Sequence, residues 1–344
     1  MTTTTKIVDI AEYIPAGRLS NADLASLYPA WPAEKIFEKT GIQSRGIAAP
    51  DETAGDLAYG AAQNLFAQGV VKPGDIDFVI LCTQAPDHIL PTTACILQDR
   101  LGIPTSAGAL DVNLGCSGYV YGLSLAKGLI ETGAARCILL LTADTYSKYI
   151  HPMDKSVRTL FGDGATATAL MPDETRQNSV GPFVFGTDGS GAKHLIVPAG
   201  GFRRPADDAS AQEVTDASEN VRSANHLYMN GAEVMAFTLR EVPRSANDLL
   251  GKAGLVADDI DYFVLHQANR FMLESLRKKL KISADRMPMH LEAVGNTVSS
   301  TIPLTLHAML KQGQLKSAKR LMLIGFGVGL SWSACILNIQ GSEK

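Results

Sequence analysis

The segment Ile76-Asp77-Phe78-Val79-Ile80-Leu81 returns 184 residues later as Ile260-Asp261-Tyr262-Phe263-Val264-Leu265. A second pair, Arg136-Cys137-Ile138-Leu139-Leu140 and Arg320-Leu321-Met322-Leu323-Ile324, has the same offset. Continuous apolar runs of this length are typical of buried strands in parallel sheets. The repetition predicts a duplicated α/β unit, with one half in residues 1–175 and the other in residues 176–344.

Helical patterns alternate with further strands on both sides of these segments. Helices are predicted by apolar spacing and by Gly or Pro at their ends, at residues 56–68, 91–101 and 119–130. Strands are predicted at residues 7–14, 78–82, 109–113, 137–141 and 165–171. Strands that alternate with helices indicate a mostly parallel sheet with helices on its faces.

Composition excludes several classes of protein. The chain has 344 residues, of which 46% are hydrophobic, and a formal net charge of −4, which suits roughly two domain-sized cores. It has no basic stripe of the kind that binds nucleic acid, and no run of about 18 apolar residues that could span a membrane. Residues 1–6 lack the apolar core of a signal peptide. We therefore expect a cytoplasmic protein without nucleic-acid or membrane partners.

The candidate nucleophile lies in Asn113-Leu114-Gly115-Cys116-Ser117-Gly118-Tyr119. A cysteine at the start of a helix meets unpaired N–H groups and the positive end of the helix dipole, which stabilise a thiolate. The alternative is a small buried cysteine with a structural role. The five cysteines are irregularly spaced, so we expect neither disulfides nor a metal site.

The repeat relates the candidate nucleophile to two other residues. A local slip of four residues places Gly115-Cys116 on Gly295-Asn296, and the offset of 184 places Cys82 on His266. Pseudo-twofold symmetry would then bring Cys116, Asn296 and His266 to one place. Taken singly, His266 could be a structural histidine and Asn296 part of a turn.

A glycine-rich segment, Gly325-Phe326-Gly327-Val328-Gly329, follows a predicted buried strand. Alternating glycines allow close approach of the backbone to a ligand and expose N–H donors. Together with the N–H of Cys116, such donors would form an oxyanion hole. A phosphate-binding loop is disfavoured because the segment lacks the Lys and Ser/Thr of that motif.

These residues resemble the thiolase superfamily and, within it, the 3-oxoacyl-acyl carrier protein synthase III group, over almost the full length. The motifs that carry the resemblance are Thr40-Gly41-Ile42, Pro91-Thr92-Thr93-Ala94-Cys95, Gly115-Cys116-Ser117-Gly118, Phe161-Gly162-Asp163-Gly164-Ala165, His266-Gln267-Ala268-Asn269, Gly295-Asn296-Thr297 and Gly325 to Gly329. The resemblance implies a five-layered αβαβα fold, a homodimer, a catalytic set of Cys116, His266 and Asn296, and an oxyanion hole made by the N–H groups of Cys116 and Val328.

The same resemblance implies a decarboxylative condensation. Cys116 would take an acyl group from a coenzyme A or acyl carrier protein thioester, and a malonyl thioester would then lose carbon dioxide and attack it. His266 and Asn296 would stabilise the enolate. No cofactor beyond these thioesters is expected. Two alternatives stay open: transfer of the acyl group to an alcohol or amine, and a non-catalytic partner subunit.

Several positions depart from the family pattern. Typical members hold coenzyme A with a Trp and two Arg. At these positions we expect Lys35, Lys39 and Lys155, and Phe271 stands where another Arg is usual. Lysine keeps the charge but loses the bidentate grip on phosphate and the flat stacking face.

The other predicted substrate contacts are Asn269, Gly327, Gly329 and Leu90. Leu90 matches the position that reaches into the partner subunit's acyl tunnel, and Val328 replaces a glycine close to the acyl-cysteine. Residues 203–226 are polar; they predict a solvated surface loop or a cover over the acceptor entrance. Thiolases proper, by resemblance, use a second cysteine. Cys335 lies inside a predicted strand, and we expect it to belong to the hydrophobic core instead.

Overall fold

The computed structural model describes residues 4–175 and 179–339. Its strands are β1 Thr4–Tyr13, β2 Gly17–Ser20, β3 Ser44–Ile47, β4 Phe78–Cys82, β5 Gly108–Val112, β6 Ile138–Asp144, β7 Gly164–Asp173, β8 Ser179–Thr187, β9 Leu195–Ile196, β10 Val214–Thr215, β11 Val221–Arg222, β12 Tyr228–Met229, β13 Tyr262–Leu265, β14 Arg320–Gly327 and β15 Ser331–Asn338. Its α-helices are α1 Asn21–Leu27, α2 Ala33–Thr40, α3 Ala54–Ala67, α4 Thr93–Arg100, α5 Gly118–Glu131, α6 Lys155–Arg158, α7 Asp208–Ala211, α8 Gly231–Ala253, α9 Arg270–Leu280 and α10 Thr301–Lys311.

The fold is built on two β-sheets whose strands are arranged in equivalent order. The first has the order β1-β7-β6-β4-β5 and the second β13-β14-β15-β8. β4 runs parallel to β6 as β13 does to β14. The next two strands of each sheet pair antiparallel, β7 and β1 in the first and β15 and β8 in the second. This common topology confirms the duplication that the repeated segments predicted.

Helices lie on both sides of each sheet. α3 and α4 cover one face of the first sheet, and α8 and α9 cover the outer face of the second. α5 and α10 lie between the sheets, where Ile80, Leu123, Leu306 and Leu323 are buried in one core. The result is the five-layered αβαβα arrangement that was predicted.

Predicted and observed helices differ mainly at their ends. α3 begins at Ala54 because the Thr53 side chain caps it by accepting a hydrogen bond from the Asp56 N–H. α4 begins at Thr93 rather than at residue 91, since the Asp111 carboxylate accepts hydrogen bonds from the first two helical N–H groups. α5 follows the predicted 119–130 within one residue at each end.

The polar segment 203–226 is docked on the body of the protein. The Leu227 N–H that follows it donates to the Tyr149 carbonyl over 2.8 Å, and the Arg222 side chain donates to Asp154 over 2.8 Å. Arg222 also bonds Asp216 within the segment at 2.6 Å. Residues 203–209, 211–215 and 217–219 are exposed, as predicted for a solvated surface loop, and the contacts above anchor the C-terminal end of the segment to the body of the protein.

The strands of the first sheet end by Asp173, and those of the second begin at Ser179. The predicted boundary between residues 175 and 176 adjoins residues 176–178, which lie outside the described residues. Cys335 is fully buried in β15, as predicted. In the described ranges, we find no helix with the length and apolar character needed to cross a bilayer.

Candidate active site

Cys116 lies in a tight turn immediately before α5. Ser117 is the N-cap residue of that helix, and its hydroxyl oxygen lies 2.7 Å from that of Ser331 on β15. The Ser333 hydroxyl donates to the Ser117 carbonyl over 3.0 Å. A Cβ atom at Gly327 would lie 2.9 Å from the Cys116 sulfur. The second half of the chain therefore holds the nucleophile turn of the first half in place, and the glycine makes room for the sulfur.

His266 directly follows β13 and is buried. Its N–H donates to the Ile324 carbonyl over 2.8 Å, which fixes its backbone. The ring Nδ1 lies 2.7 Å from the Thr301 hydroxyl oxygen, and the ring packs edge-on against Phe326. Burial lowers the pKa of His266 to about 3, so the imidazole is neutral near pH 7.

Asn296 is held by the loop that contains Phe161-Gly162-Asp163-Gly164. Its N–H donates to the Leu160 carbonyl over 2.9 Å, and its carbonyl accepts from the Gly162 N–H over 3.0 Å. Its side-chain oxygen accepts from the Val298 N–H over 2.9 Å. Val298 adopts φ of 55°, a strained conformation for a β-branched residue. The arrangement orients the Asn296 side chain so that its NH2 group is left as a donor.

Cys116, His266 and Asn296 line one cavity of about 90 Å³, which we call the thiol cavity. Asn269 and Gly327 also line it. The structure therefore brings together the three residues that the repeat predicted to converge. A thiol, a neutral imidazole and a primary amide are the groups needed to form an acyl intermediate and to stabilise a developing oxyanion.

The Cys116 thiol does not have the lowered pKa that its position before a helix suggested. Burial raises the pKa of the thiol above its ordinary value, and the nearby Asp144 carboxyl raises it further. The backbone N–H groups of Cys116 and Val328 act in the opposite direction. The expected thiolate stabilisation is thus outweighed by burial, and the thiol is the resting form.

A second cavity of about 730 Å³ is lined in part by Asn113, which begins the segment that carries Cys116. Val328 and Gly329 line it, whereas Gly327 lines the thiol cavity. Leu195 lines both, so the two cavities adjoin. Asn225 adds a wall. Asn225 comes from the polar segment, which therefore contributes to the wall of this cavity and not to that of the thiol cavity.

A third cavity of about 320 Å³, the lysine cavity, is lined by Trp31, Lys39, Lys155 and Phe271. Asn269 lines both this cavity and the thiol cavity, and its side chain also caps α9, as predicted. The Lys35 ammonium lies 5.1 Å from the centre of the Trp31 ring, and that of Lys39 lies 5.5 Å from it.

The lysine cavity corrects one sequence-based expectation. The three lysines do not replace a tryptophan, because Trp31 stands among them and supplies the flat face that was expected to be lost. Of the predicted contacts, Lys35 lies over the Trp31 ring but lines none of the three cavities, and Leu90 is not brought to the site either. Leu90 is 80% exposed and lines none of these three cavities.

Comparisons with known proteins decide the family. A model of 3-oxoacyl-[acyl-carrier-protein (ACP)] synthase III matches residues 110–189, and the model of the C-terminal part of that enzyme matches residues 250–339. Beta-ketoacyl-[acyl-carrier-protein] synthase III of Caldanaerobacter subterraneus is 34% identical over 96% of this chain and 97% of that relative. Beta-ketoacyl-[acyl-carrier-protein] synthase III 2 of Halalkalibacterium halodurans is 37% identical over 97% of this chain and 96% of that relative. The chain belongs to the 3-oxoacyl-[acyl-carrier-protein] synthase III family.

Solved structures of synthase III proteins agree with this assignment. One crystal structure of a 3-oxoacyl-(acyl-carrier-protein) synthase III is 66% identical, with a TM-score of 0.96, over 98% of this chain and 100% of that chain. The synthase from Burkholderia xenovorans is 38% identical, with a TM-score of 0.89, over 99% of this chain and 95% of that chain. The fold is therefore that of the synthase III proteins of the thiolase superfamily, and this member is a condensing acyltransferase. The alternatives of acyl transfer to an alcohol or amine and of a non-catalytic subunit are not favoured.

Sequence reasoning missed three residues of this synthase III site. Trp31 is one of two tryptophans and directly precedes a helix in Pro29-Ala30-Trp31-Pro32, a signal that was available. Gln84 comes just after the buried strand β4, where polar side chains collect at the carboxyl ends of parallel strands. Thr301, which contacts His266, lies five residues after Asn296, and nothing in the local sequence marks it.

Proposed function

We propose that Cys116 is the acyl-accepting nucleophile and that His266 and Asn296 stabilise the enolate formed by decarboxylation. The convergence of these three side chains in the thiol cavity is the observation that supports this assignment. The Cys116 sulfur attacks the carbonyl carbon of an acyl thioester, the carrier thiol leaves with the proton of Cys116, and an acyl-cysteine remains. The Cys116 and Val328 N–H groups stabilise the oxyanion of this step.

In the second half-reaction a malonyl thioester loses carbon dioxide. The electron pair of the broken carbon–carbon bond forms an enolate, whose oxygen accepts hydrogen bonds from the Asn296 amide and from the Nε2–H of His266. The enolate carbon then attacks the acyl carbonyl, and the Cys116 sulfur leaves as the 3-oxoacyl thioester forms. No group has to remove a proton from carbon, which suits an imidazole that stays neutral and an amide that cannot act as a base.

His266 can donate from Nε2 only if Nδ1 carries no proton. The Thr301 hydroxyl lies 2.7 Å from Nδ1 and 3.1 Å from the Val298 carbonyl. When Thr301 donates to Nδ1, the neutral ring carries its proton on Nε2. When Thr301 instead donates to the Val298 carbonyl, Nδ1–H donates to Thr301 and Nε2 is left as an acceptor. The proposed step therefore requires the arrangement in which Thr301 donates to Nδ1.

We propose that thioester carriers enter through the lysine cavity. Lys39 and Lys155 supply cationic donors for phosphate, and Trp31 supplies a flat apolar face. Phe271 is 66% exposed at the rim, where it offers apolar contact in place of charge. Coenzyme A and acyl carrier protein share a phosphate-linked thiol arm, and both suit this combination. The scheme needs no resident cofactor.

We further propose a homodimer formed through β5. This strand is the edge of the first sheet, pairs only with β4 among the described strands, and is half-buried along its length. Exposed edge strands are templates for pairing with another chain. Ile89 and Leu90, 82% and 80% exposed, precede α4, whose start is bonded to Asp111 of β5. A second copy would cover this apolar pair, and Leu90→Lys should shift the sedimenting species towards monomer.

The catalytic assignment can be tested by separating the two half-reactions. Intact mass measurement after incubation with acyl-coenzyme A reports acyl-Cys116, and release of labelled carbon dioxide from malonyl thioester reports the second step. Cys116→Ser should give no thioester adduct. His266→Ala and Asn296→Ala should retain acylation, whereas carbon dioxide release should fall by about 100-fold to 1,000-fold, the usual cost of removing an oxyanion donor.

The matched control is His88→Ala, at an exposed histidine, which should keep both steps. Equal loss of acylation and decarboxylation in His266→Ala and Asn296→Ala would contradict the roles assigned to these residues. Formation of acyl-Cys116 without any carbon dioxide release across a panel of acyl donors would reject condensation.

A further inference from the structure

The second cavity adjoins the thiol cavity in which Cys116 lies. Val328, whose N–H lies against the Cys116 sulfur, lines this cavity. A Cβ atom at Gly115 would lie 2.6 Å from the Gln84 side-chain oxygen and 2.8 Å from a Val328 methyl group. Gln84 therefore lies beside the backbone of the nucleophile turn, where the first carbons of an acyl chain would pass.

Gln84 is held from three sides and keeps one group free. Its N–H donates to the Asp144 carboxylate over 2.8 Å, its carbonyl accepts from the Tyr149 hydroxyl over 2.9 Å, and its side-chain oxygen accepts from the Tyr146 hydroxyl over 2.6 Å. Within residues 4–175 and 179–339 its side-chain NH2 group has no hydrogen-bond partner. A fixed and unpaired donor thus belongs to a residue of the cavity wall.

Asn225 adds a second unpaired amide to the same wall. Its N–H donates to the Ser223 hydroxyl over 3.2 Å, which holds the backbone. Its side-chain oxygen is buried and has no partner among the described residues. Because this oxygen is covered, the side-chain NH2 group of Asn225, which has no hydrogen-bond partner within residues 4–175 and 179–339, is the group left for a ligand in the cavity.

The rest of the wall determines the charge of the ligand. None of the described residues that line the second cavity is Asp, Glu, Lys, Arg or His. Leu195, Leu227 and Val328 supply apolar surface. A charged group would be buried there without a counter-ion, which is costly, whereas methylene groups and an uncharged polar group are both accommodated.

We infer that the second cavity selects acyl groups that carry an uncharged hydroxyl group over plain alkyl chains. The inference rests on the proposed acylation of Cys116. A hydroxyl oxygen accepts hydrogen bonds, so it can pair with the NH2 group of Gln84 or with that of Asn225. A plain alkyl chain would remove water from both amides and leave them unpaired.

The test compares matched acyl-coenzyme A donors. Butyryl and hexanoyl donors are paired with counterparts that carry a hydroxyl on the third, fourth or fifth carbon, and the second-order rate of Cys116 acylation is measured by intact mass. For at least one of these hydroxyl positions, the hydroxyacyl donor should react about tenfold faster than its alkyl counterpart. Gln84→Met and Asn225→Leu should each lower this ratio towards one. Gln63→Met, at an exposed position of α3, should leave the ratio unchanged.

Circular dichroism and the unfolding midpoint establish whether each variant is folded. If Gln84→Met does not fold, Asn225→Leu remains as the test variant. Alkyl donors that react as fast as every hydroxyacyl counterpart would overturn the inference and leave the proposed function intact. A tenfold preference that survives both cavity substitutions would overturn it as well. If no donor of either kind adds mass to Cys116, the proposed function fails and this inference fails with it.

Discussion

Replacing His266 with glutamine should stabilise the protein selectively in acid. The ring is buried, and burial lowers its pKa from 6.5 to about 3. In the unfolded chain the imidazole takes up a proton near pH 6.5, whereas the folded protein excludes that proton down to about pH 3. The contribution of His266 to the free energy of unfolding therefore falls as the pH falls through this window, and it is unchanged above pH 6.5.

The size of the effect follows from the width of the window. Each pH unit between the two pKa values changes the free energy of unfolding by about 1.4 kcal/mol. Two units, from pH 6.5 to pH 4.5, correspond to about 3 kcal/mol. The wild-type profile conceals this loss, because burial raises the pKa of Asp144 to about 7. A carboxyl group with a raised pKa gains a proton in the folded state first, so Asp144 adds stability as the pH falls from 7 towards 4.

The difference between wild type and His266→Gln isolates the histidine. Urea unfolding at one fixed protein concentration, at pH 7.5 and at pH 4.5, gives the free energy of each protein at each pH. The variant should gain about 3 kcal/mol relative to wild type between the two conditions. His88→Gln, at an exposed position, is the control. A change for His266→Gln no larger than that for His88→Gln would refute the buried, neutral imidazole on which the mechanism depends.

Three other substitutions test the packing around the site. Gly115→Ala should slow acylation at least tenfold, because its Cβ would approach neighbouring side chains to 2.6 and 2.8 Å. The control, Gly128→Ala, has nothing within 4 Å of its Cβ on α5 and should raise the free energy of unfolding by about 0.5–1 kcal/mol. Equal effects of the two substitutions on acylation would contradict the steric argument. Thr301→Val should lower carbon dioxide release about tenfold, with recovery in Thr301→Ser, since the proposed step needs a hydroxyl that donates to Nδ1 of His266. No recovery in Thr301→Ser would indicate a packing role. Trp31→Ala should raise the KM for coenzyme A donors about tenfold with little change in kcat, and a fall in kcat alone would place Trp31 elsewhere in the mechanism.

The fold and the central residues could be predicted because they follow from repetition. Two buried strand pairs at one offset implied two equivalent sheets, and residues at equivalent strand and helix ends converge when such halves pack face to face. Cys116 and Asn296 both precede a central helix, α5 or α10, and His266 directly follows β13. Each of these positions is defined by the end of a regular element, which periodicity can locate.

Features in irregular loops could not be predicted in the same way. Gln84 and Asn225 line one cavity although they lie 141 positions apart, and the packing of the polar segment brings Asn225 there. The thiolate expected at Cys116 was wrong for a related reason. The sequence shows that a helix follows the cysteine, but the burial that raises the pKa of its thiol comes from the second half of the chain.

Asp144 connects the two cavities that the proposed reaction uses. One carboxylate oxygen accepts from the Gln84 N–H over 2.8 Å, and the other accepts from the Ser299 hydroxyl over 2.6 Å. Gln84 belongs to the wall of the second cavity, and Ser299 belongs to the turn that runs from Asn296 to Thr301. A buried carboxyl group that loses either partner keeps the cost of its desolvation, so movement of either wall away from Asp144 is disfavoured. The surface that holds the acyl chain and the turn that holds the enolate donors are therefore fixed relative to each other by one side chain.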